Sequence, residues 1–277
     1  MAQNKKVTKI YVAPGNAGTA LEDKCENVSL HSNEEYLKFA KTNKIDLTVV
    51  GPEQLLVDGV VDLFKKNKLK IFGPNKKAAQ LEGSKIFAKK FMEKHNIPTA
   101  KFGSFTNAKD AIKYLKEKCE FPIVIKADGL AAGKGVEICP NLKSAINCIN
   151  EFMVKNIFKT AGSKVVIEKF LEGPEASIIC ITDGNTIYPF VSSKDHKQVY
   201  DNDKGPNTGG MGAICPNPFV TKPVLNAFIK QIMLPTLNGL KKDKIDFMGF
   251  IFFGIMITKN GPKLLEYNVR NVSNTHL

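Results

Sequence analysis

The chain opens with short apolar runs that alternate with amphipathic stretches. "KIYVAPGNAGTA" reads as a short strand followed by a Pro-Gly-Asn-Ala-Gly turn. "NEEYLKFAKTNK" spaces Tyr36, Leu37, Phe39 and Ala40 along one side of a helix. "IDLTVVGPE" reads as a buried strand closed by a tight Gly-Pro turn, "LLVDGVVDLFKKNK" as a helix and "LKIFGPN" as a further strand. The order strand, helix, strand, helix, strand predicts a parallel sheet with right-handed crossovers. Ligands of such sheets sit beyond the carboxyl ends of the strands. Gly51, Pro52 and Glu53 lie at one such end.

The pattern then changes. "AAQLEGSKIFAKKFMEKHNIP" predicts one long helix with Ile86, Phe87, Phe91 and Met92 as its apolar stripe and Pro98 as its stop. "FTNAKDAIKYLKEKCEFPIVIKADGLAAGKGVEIC" predicts a helix, a strand, a glycine-rich loop and a second strand. "LKSAINCINEFMVKN" is helical, and "KVVIEKFLEGPEASIICITDG" is two strands around a short linker. These elements bracket a small lobe from about Gly103 to Phe170. "FMGFIFFGIMI" falls well short of the roughly 20 apolar residues of a membrane span and contains two glycines; it predicts a buried strand. No internal repeat or low-complexity tract interrupts the chain.

Composition narrows the classes. Of 277 residues, 43% are hydrophobic and 24% charged, as in an ordinary soluble globular protein with a sizeable core. The first residues carry no long apolar segment of the secretory kind. The net charge is +13, yet Arg270 is the single arginine and the lysines are dispersed. A nucleic-acid binder clusters its charge and uses arginine forks. The charge therefore predicts a solvated lysine surface with some attraction for phosphate-bearing small molecules, no specific nucleic-acid partner and no membrane. Cys25, Cys119, Cys139, Cys148, Cys180 and Cys215 form no CxxC pair, and the four histidines are scattered. No zinc site is expected, and reduced thiols fit the cytoplasm.

"IVIKADGLAAGKGV" is the sharpest chemical signal. A strand places Lys126 at its end, and a loop brings Gly129, Gly133, Lys134 and Gly135. Small residues let backbone N–H groups approach phosphate oxygens, and the lysines supply charge. The loop is not G-x-x-x-x-G-K-[ST]: three residues separate Gly129 from Gly133, and Gly135 stands where a hydroxyl is needed. A nucleotide would lie under a flap between two strands; the alternative is a glycine-rich hairpin without ligand. Glu168 and Glu175 flank the linker "KFLEGP", where an adenine and a ribose would find partners, or else they are surface glutamates. "SSKDHKQVYDNDKGPNTGGMGAICP" offers Asp195, His196, Lys197, Asp203, Asn207 and Thr208 in a long polar loop. Alone, His196 is more often a polar contact than a base. In "GPKLLEYNVR", Glu266 and Asn268 share a strand face, and such hard oxygen ligands suit magnesium. An ordinary half-buried strand would show the same alternation.

Taken in order, "APGNAGT", "VVGPE", "LEGSKIFAKKFM", "FPIVIKADGLAAGKGV", "VIEKFLEGPEAS", "DHKQVYDNDKGPNTGGMGA" and "LLEYNVR" resemble the phosphoribosylamine–glycine ligases, or glycinamide ribonucleotide synthetases, of the ATP-grasp superfamily. The resemblance runs from about Lys9 to Arg270. It implies an α/β architecture: an incomplete Rossmann-like parallel-sheet domain over 1–74, then an ATP-grasp fold of two α+β lobes over 75–270. It implies that ATP, glycine and 5-phosphoribosylamine give glycinamide ribonucleotide, ADP and phosphate, through a glycyl phosphate, in purine biosynthesis. Lys126, Asp195 and Arg270 would be catalytic. Lys85 and Lys126 would touch ATP phosphates under the loop Gly129–Gly135. Glu168, Lys169, Phe170 and Leu171 would flank adenine, and Glu175 would meet the ribose. Glu266 and Asn268 would hold Mg2+ or Mn2+. Gly51, Pro52, Glu53, Asp195, His196, Lys197, Asn207, Thr208, Gly209 and Gly210 would line the substrates.

The chain departs from the family pattern at both ends. The resemblance implies an earlier strand with a "GGREHA" turn and helix, and after the arginine "FGDPE" and a carboxy-terminal domain. The chain instead ends on the divergent tail "NVSNTHL", residues 271–277. The expectation is a truncated chain that keeps the ATP and magnesium apparatus and lacks both flanks of the phosphoribosylamine site. Two readings stay open: a ligase, and a non-catalytic Mg-ATP-binding fragment of one. In a longer form, fusion to other purine-pathway domains is also implied.

Overall fold

The computed structural model describes residues 1–131, 135–201, 204–208 and 210–270. The first part is built from parallel strand pairs. Ile10–Val12 pairs in parallel with Cys25–Asn27, and Thr48–Val49 with Ile71–Phe72. Of the two predicted crossovers, the one from Thr48–Val49 to Ile71–Phe72 closes a parallel pair; Ile10–Val12 pairs with Cys25–Asn27 instead of Thr48–Val49, so the strands pair two by two. Cys25–Asn27 has no apolar run and carries no strand signal in the sequence. The segment read as a buried strand over 45–53 contributes only Thr48–Val49 to a ladder, and Leu47 and Val49 are exposed.

Two expected single helices are broken, each for a local reason. Gly59, at φ +92°, ends Glu53–Asp58 and starts Val60–Lys66, a left-handed cap that glycine adopts without a Cβ penalty. Ser84 separates Lys76–Gly83 from Lys85–Lys94. Its backbone is extended, and its hydroxyl accepts from the Phe87 N–H at 3.1 Å. This break puts Lys85 in the first turn of a helix instead of the middle of one.

An antiparallel sheet follows, in the order Phe102–Phe105, Val165–Lys169, Ile123–Ala127, Val136–Cys139. Helices Ala108–Lys118 and Leu142–Ile149 cover one face, and Leu115, Ile125, Ile149, Phe152 and Ile167 form a separate core there. The second antiparallel sheet runs Ile187–Pro189, Glu175–Thr182, Gly249–Thr258, Gly261–Asn268. Gly249–Thr258 lies between two neighbours and is covered on both faces, so "FMGFIFFGIMI" is a continuous apolar run without alternation. Its core is continuous with Leu56, Val61 and Phe64 of the first part. Phe253 stands at the centre, with ring centroids 5.2 Å from Phe228 and 5.5 Å from Tyr267. No helix among the described residues is long and apolar enough to cross a membrane.

Phe253→Ala removes the ring that joins these elements. A loss of about 3–5 kcal/mol is expected, read as a lower urea midpoint with an unchanged slope. A loss below about 1 kcal/mol would mean that the core is not centred on this ring.

Candidate functional site

Strand alternation sets the first constraint. On Ile123–Ala127, Ile123 and Ile125 face the helices, so Lys126 faces the other way. Val124 opposes Glu168 and Lys126 opposes Val166, which puts Lys126 and Glu168 diagonally on that same face. Helix Lys85–Lys94 brings Lys89 to them. Lys89 is 2% exposed, Glu168 3% and Lys126 6%. Lys89 Nζ lies 2.9 Å from Glu168 Oε2, and Lys126 Nζ lies 3.2 Å from Oε1.

These charges are tied to the closing strand. Gly254 opposes Glu266 but Ile255 opposes Leu264, so Leu265 is an extra residue, a β-bulge. The bulge shifts the alternation: the buried positions run Pro262, Leu264 and then Tyr267, Val269. Glu266 and Asn268 are thereby turned off the core. With regular alternation they would continue the face of Leu264. The two carbonyls at the bulge are both used. Leu265 O accepts from Lys126 Nζ at 3.3 Å, and Leu264 O accepts from the Thr99 hydroxyl at 2.6 Å. Thr99 Oγ1 in turn accepts from Lys89 Nζ at 2.7 Å. A ring of Lys89, Glu168, Lys126, the bulge and Thr99 therefore joins the two sheets.

Electrostatics follow from burial. For Lys126, burial favours the neutral amine, but Glu168 and Glu266 outweigh it and its pKa is raised. Burial brings Lys89 down to about 8 against the pull of Glu168. Burial pushes the Glu168 carboxyl up, yet Lys126 and Lys89 outweigh it and hold it below the usual carboxylate range. Lys85 is lowered by burial, partly offset by Glu266. Lys85, Lys126 and Glu266 thus feel one another's charge.

The loop after Lys126 docks on the start of the same helix. Asp128 Oδ1 accepts from the Ser84 hydroxyl at 2.9 Å and from the Ile86 N–H at 2.7 Å, and Lys85 Nζ donates to Gly129 O at 3.3 Å. The Gly129 N–H already donates to Ala161 O at 3.2 Å, so it is occupied by the protein. A Cβ on Gly129 would meet Ala161 Cα at 2.8 Å, which is why glycine stands there. Gly135 lies against Ala131 and Ala127. Gly133 and Lys134 lie outside the described residues, as do Asp203, Gly209 and the tail 271–277.

Glu168 is buried, not a surface glutamate, and its carboxylate faces the two lysines. Lys169 is exposed, and Phe170 and Leu171 are half-buried in the linker. Gly173, at φ +146°, brings the linker against the Ile257 carbonyl, where a Cβ would sit 2.2 Å from the oxygen. Glu175 is exposed at the start of its strand, with Lys197 Nζ 4.0 Å from Oε2. The polar loop is anchored beside it. Asp195 opposes Ala213, the His196 N–H donates to Gly212 O at 2.9 Å, and the Thr208 hydroxyl donates to Lys197 O at 2.8 Å. The Gly210 N–H donates to Thr208 Oγ1 at 3.1 Å, and the Asn207 backbone pairs with Gln198.

Of Gly51, Pro52 and Glu53, it is Glu53 that meets the end of the closing strand, while Gly51 and Pro52 are exposed. Arg270 Nε lies 3.0 Å from Glu53 Oε2 and 3.1 Å from Glu82 Oε1, while the Val269 N–H donates to Glu82 Oε2 at 2.8 Å. Burial raises the Glu82 pKa, and Arg270 opposes it. Lys89, Asp128, Glu82 and Thr99 carry no flag in the sequence reading. Lys89 had one available signal, its i+4 spacing from Lys85 inside an apolar stripe.

Comparison with known proteins gives consistent matches. The family model of the phosphoribosylglycinamide synthetase ATP-grasp (A) domain matches residues 83–274, and that of the N domain matches residues 1–82. A curated phosphoribosylamine–glycine ligase of Clostridium acetobutylicum is 63% identical over 270 residues, which are 98% of this chain and 65% of the relative. A crystal structure of phosphoribosylamine–glycine ligase from Thermotoga maritima superposes with TM-score 0.80 at 33% identity, over 97% of this chain and 64% of that one. The biotin carboxylase domain of Hydrogenobacter thermophilus 2-oxoglutarate carboxylase, solved with MgADP and bicarbonate, shares the fold at TM-score 0.72 and 16% identity, over 95% of this chain and 59% of that one. The chain thus spans about 65% of the length of the curated relative.

The buried triad sets two expectations. Lys89→Met leaves Glu168 with one cation and is expected to cost about 3–5 kcal/mol in urea unfolding; a neutral result would contradict the ion-pair role. The second concerns pH. A carboxyl whose folded pKa is depressed contributes stability above its unfolded pKa, and this is lost as pH falls through the folded value. The stability gap between wild type and Glu168→Gln should therefore be full near neutrality and narrow on acidification below the ordinary glutamate range. Parallel stability curves from pH 7 downward would refute this.

Proposed function

The chain belongs to the phosphoribosylglycinamide synthetase family, and from that premise we propose that it carries the ATP-grasp machinery of an ATP-dependent ligase joining glycine to 5-phosphoribosylamine. The product is glycinamide ribonucleotide, with ADP and phosphate released. The observation that carries the reading is the bulge at Leu265: it ties Lys126 to the strand whose Glu266 and Asn268 it turns off the core. Cations for phosphates and hard oxygens for a metal then lie close enough to feel one another's charge.

In this reading residues 75–270 form the ATP-grasp part and residues 1–74 a substrate-binding part. Lys85 and Lys126 hold the phosphates, and the loop that includes Gly129, Gly133, Lys134 and Gly135 covers them. Glu168 through Leu171 flank the adenine, and Glu175 meets the ribose with Lys197 beside it. Glu266 and Asn268 would hold magnesium, or manganese in its place. Their donor set fits, since both are hard oxygen ligands and Glu266 sits in the field of Lys85 and Lys126. The ion would neutralise phosphate charge during transfer.

The chemistry asks the protein for position and charge. The glycine carboxylate attacks the terminal phosphorus of ATP, and the bond to ADP breaks. The amine of phosphoribosylamine then attacks the acyl carbon, phosphate leaves and the amine loses a proton. No protein nucleophile is needed. Lys126, kept cationic by Glu168 and Glu266, stabilises the transferring phosphoryl group. The acyl phosphate needs protection from water, which a closed flap provides. Arg270 with Glu53, and the loop carrying Asp195, His196, Lys197, Asn207, Thr208, Gly209 and Gly210, hold glycine and phosphoribosylamine.

The test is ADP release by the folded chain with Mg-ATP, glycine and phosphoribosylamine, each omitted in turn. Turnover that requires all three would make this chain a ligase by itself. Mg-ATP binding without turnover would leave the chain the nucleotide-binding part of the ligase only. Glu266→Ala should abolish magnesium-dependent ATP binding, measured by calorimetry; unaltered binding would overturn the metal assignment.

A further inference from the structure

A second group of ligating side chains lies away from the lysine cleft. The strand Val136–Cys139 forms one edge of the sheet that also contains Lys126. Alternation directs Glu137 and Cys139 to the same face, the one covered by helix Leu142–Ile149. That helix presents Cys148 inward, one turn after Ser144. One ligand atom each from Glu137, Cys139 and Cys148 lies within 4.8 Å of the others. The thiols are 0% and 1% exposed and form no disulfide. Glu137 is only partly buried and opens the cluster to solvent at the sheet edge.

We propose that Glu137, Cys139 and Cys148 form a binding site for one thiophilic divalent cation of the zinc and cadmium class. A tetrahedral ion with sulfur at about 2.3 Å and oxygen at about 2.0–2.2 Å sets its ligand atoms roughly 3.5–3.8 Å apart. The present cluster has to close by roughly 1.0–1.3 Å at most. On binding, each thiol gives a proton to solvent, and two thiolates and one carboxylate surround the ion. Water at the open edge takes the fourth position. The carboxylate beside the thiol pair distinguishes this cluster from an inert pair of buried cysteines. Bound there, the ion would clamp the edge strand that leaves the glycine-rich loop onto its helix.

The test is titration of the reduced full chain with Cd2+, followed by thiolate-to-cadmium absorption in the ultraviolet. One equivalent should saturate the band, with about two protons released per ion. The band should vanish when Cys139→Ser and Cys148→Ser are combined, and persist unchanged in Cys215→Ser, which alters an exposed thiol elsewhere. Glu137→Gln should weaken binding roughly tenfold or more. Absence of a stoichiometric band, or a band that survives the double serine change, would overturn the proposal. Should the double variant not fold, Glu137→Gln at the sheet edge decides: unchanged affinity excludes the site.

Discussion

Everything around the cleft depends on one buried carboxylate. Glu168 is enclosed by Lys89 and Lys126 and, with Glu266, opposes the loss of charge that burial imposes on them. Further contacts of both lysines offset part of the cost of burying three charges. Lys89 also reaches Thr99, Lys126 also reaches the Leu265 carbonyl, and Thr99 holds the Leu264 carbonyl. The cluster is thus both an electrostatic unit and a strap between two sheets with separate cores.

The bulge is the geometric partner of that cluster. An extra residue in a ladder frees backbone carbonyls, and here they accept from Lys126 and Thr99. The same extra residue inverts the phase of the strand, so Tyr267 enters the core while Glu266 and Asn268 leave it. Tyr267 is held by a 2.8 Å hydrogen bond to Thr236 and by Phe253 and Phe91. Packing on one face therefore fixes the aim of the Glu266 and Asn268 side chains on the other. A site that must place charge to within fractions of an ångström gains from such support.

The cleft is completed from several directions. Asp128 accepts from Ser84 and Ile86 at the start of the helix that begins at Lys85, which ties the loop after Lys126 to that helix start. Glu53 and Glu82 share Arg270, which joins the first part of the chain to the closing strand. The polar loop is laced by the Thr208–Lys197 and His196–Gly212 hydrogen bonds beside Glu175. The Asp128 and Arg270 contacts link elements far apart in sequence.

The sequence alone determined the α/β order of elements, the apolar strand Gly249–Thr258, the lysine at the end of Ile123–Ala127 and the oxygen pair on the last strand. These follow from local rules: period of hydrophobicity, glycine and proline punctuation, and residue chemistry at a strand's end. The motifs also carried the family. Tertiary structure alone decided the rest. The helix breaks at Gly59 and Ser84, the pairing of Cys25–Asn27, the bulge at Leu265 and the roles of Lys89, Asp128 and Glu82 depend on partners remote along the chain; Thr99, for instance, meets Leu264 across 165 positions. A lysine in a helical stripe looks solvated in sequence, because nothing local says that a carboxylate from another sheet will meet it. Burial of charge is settled by the partner, and the partner is chosen by the fold.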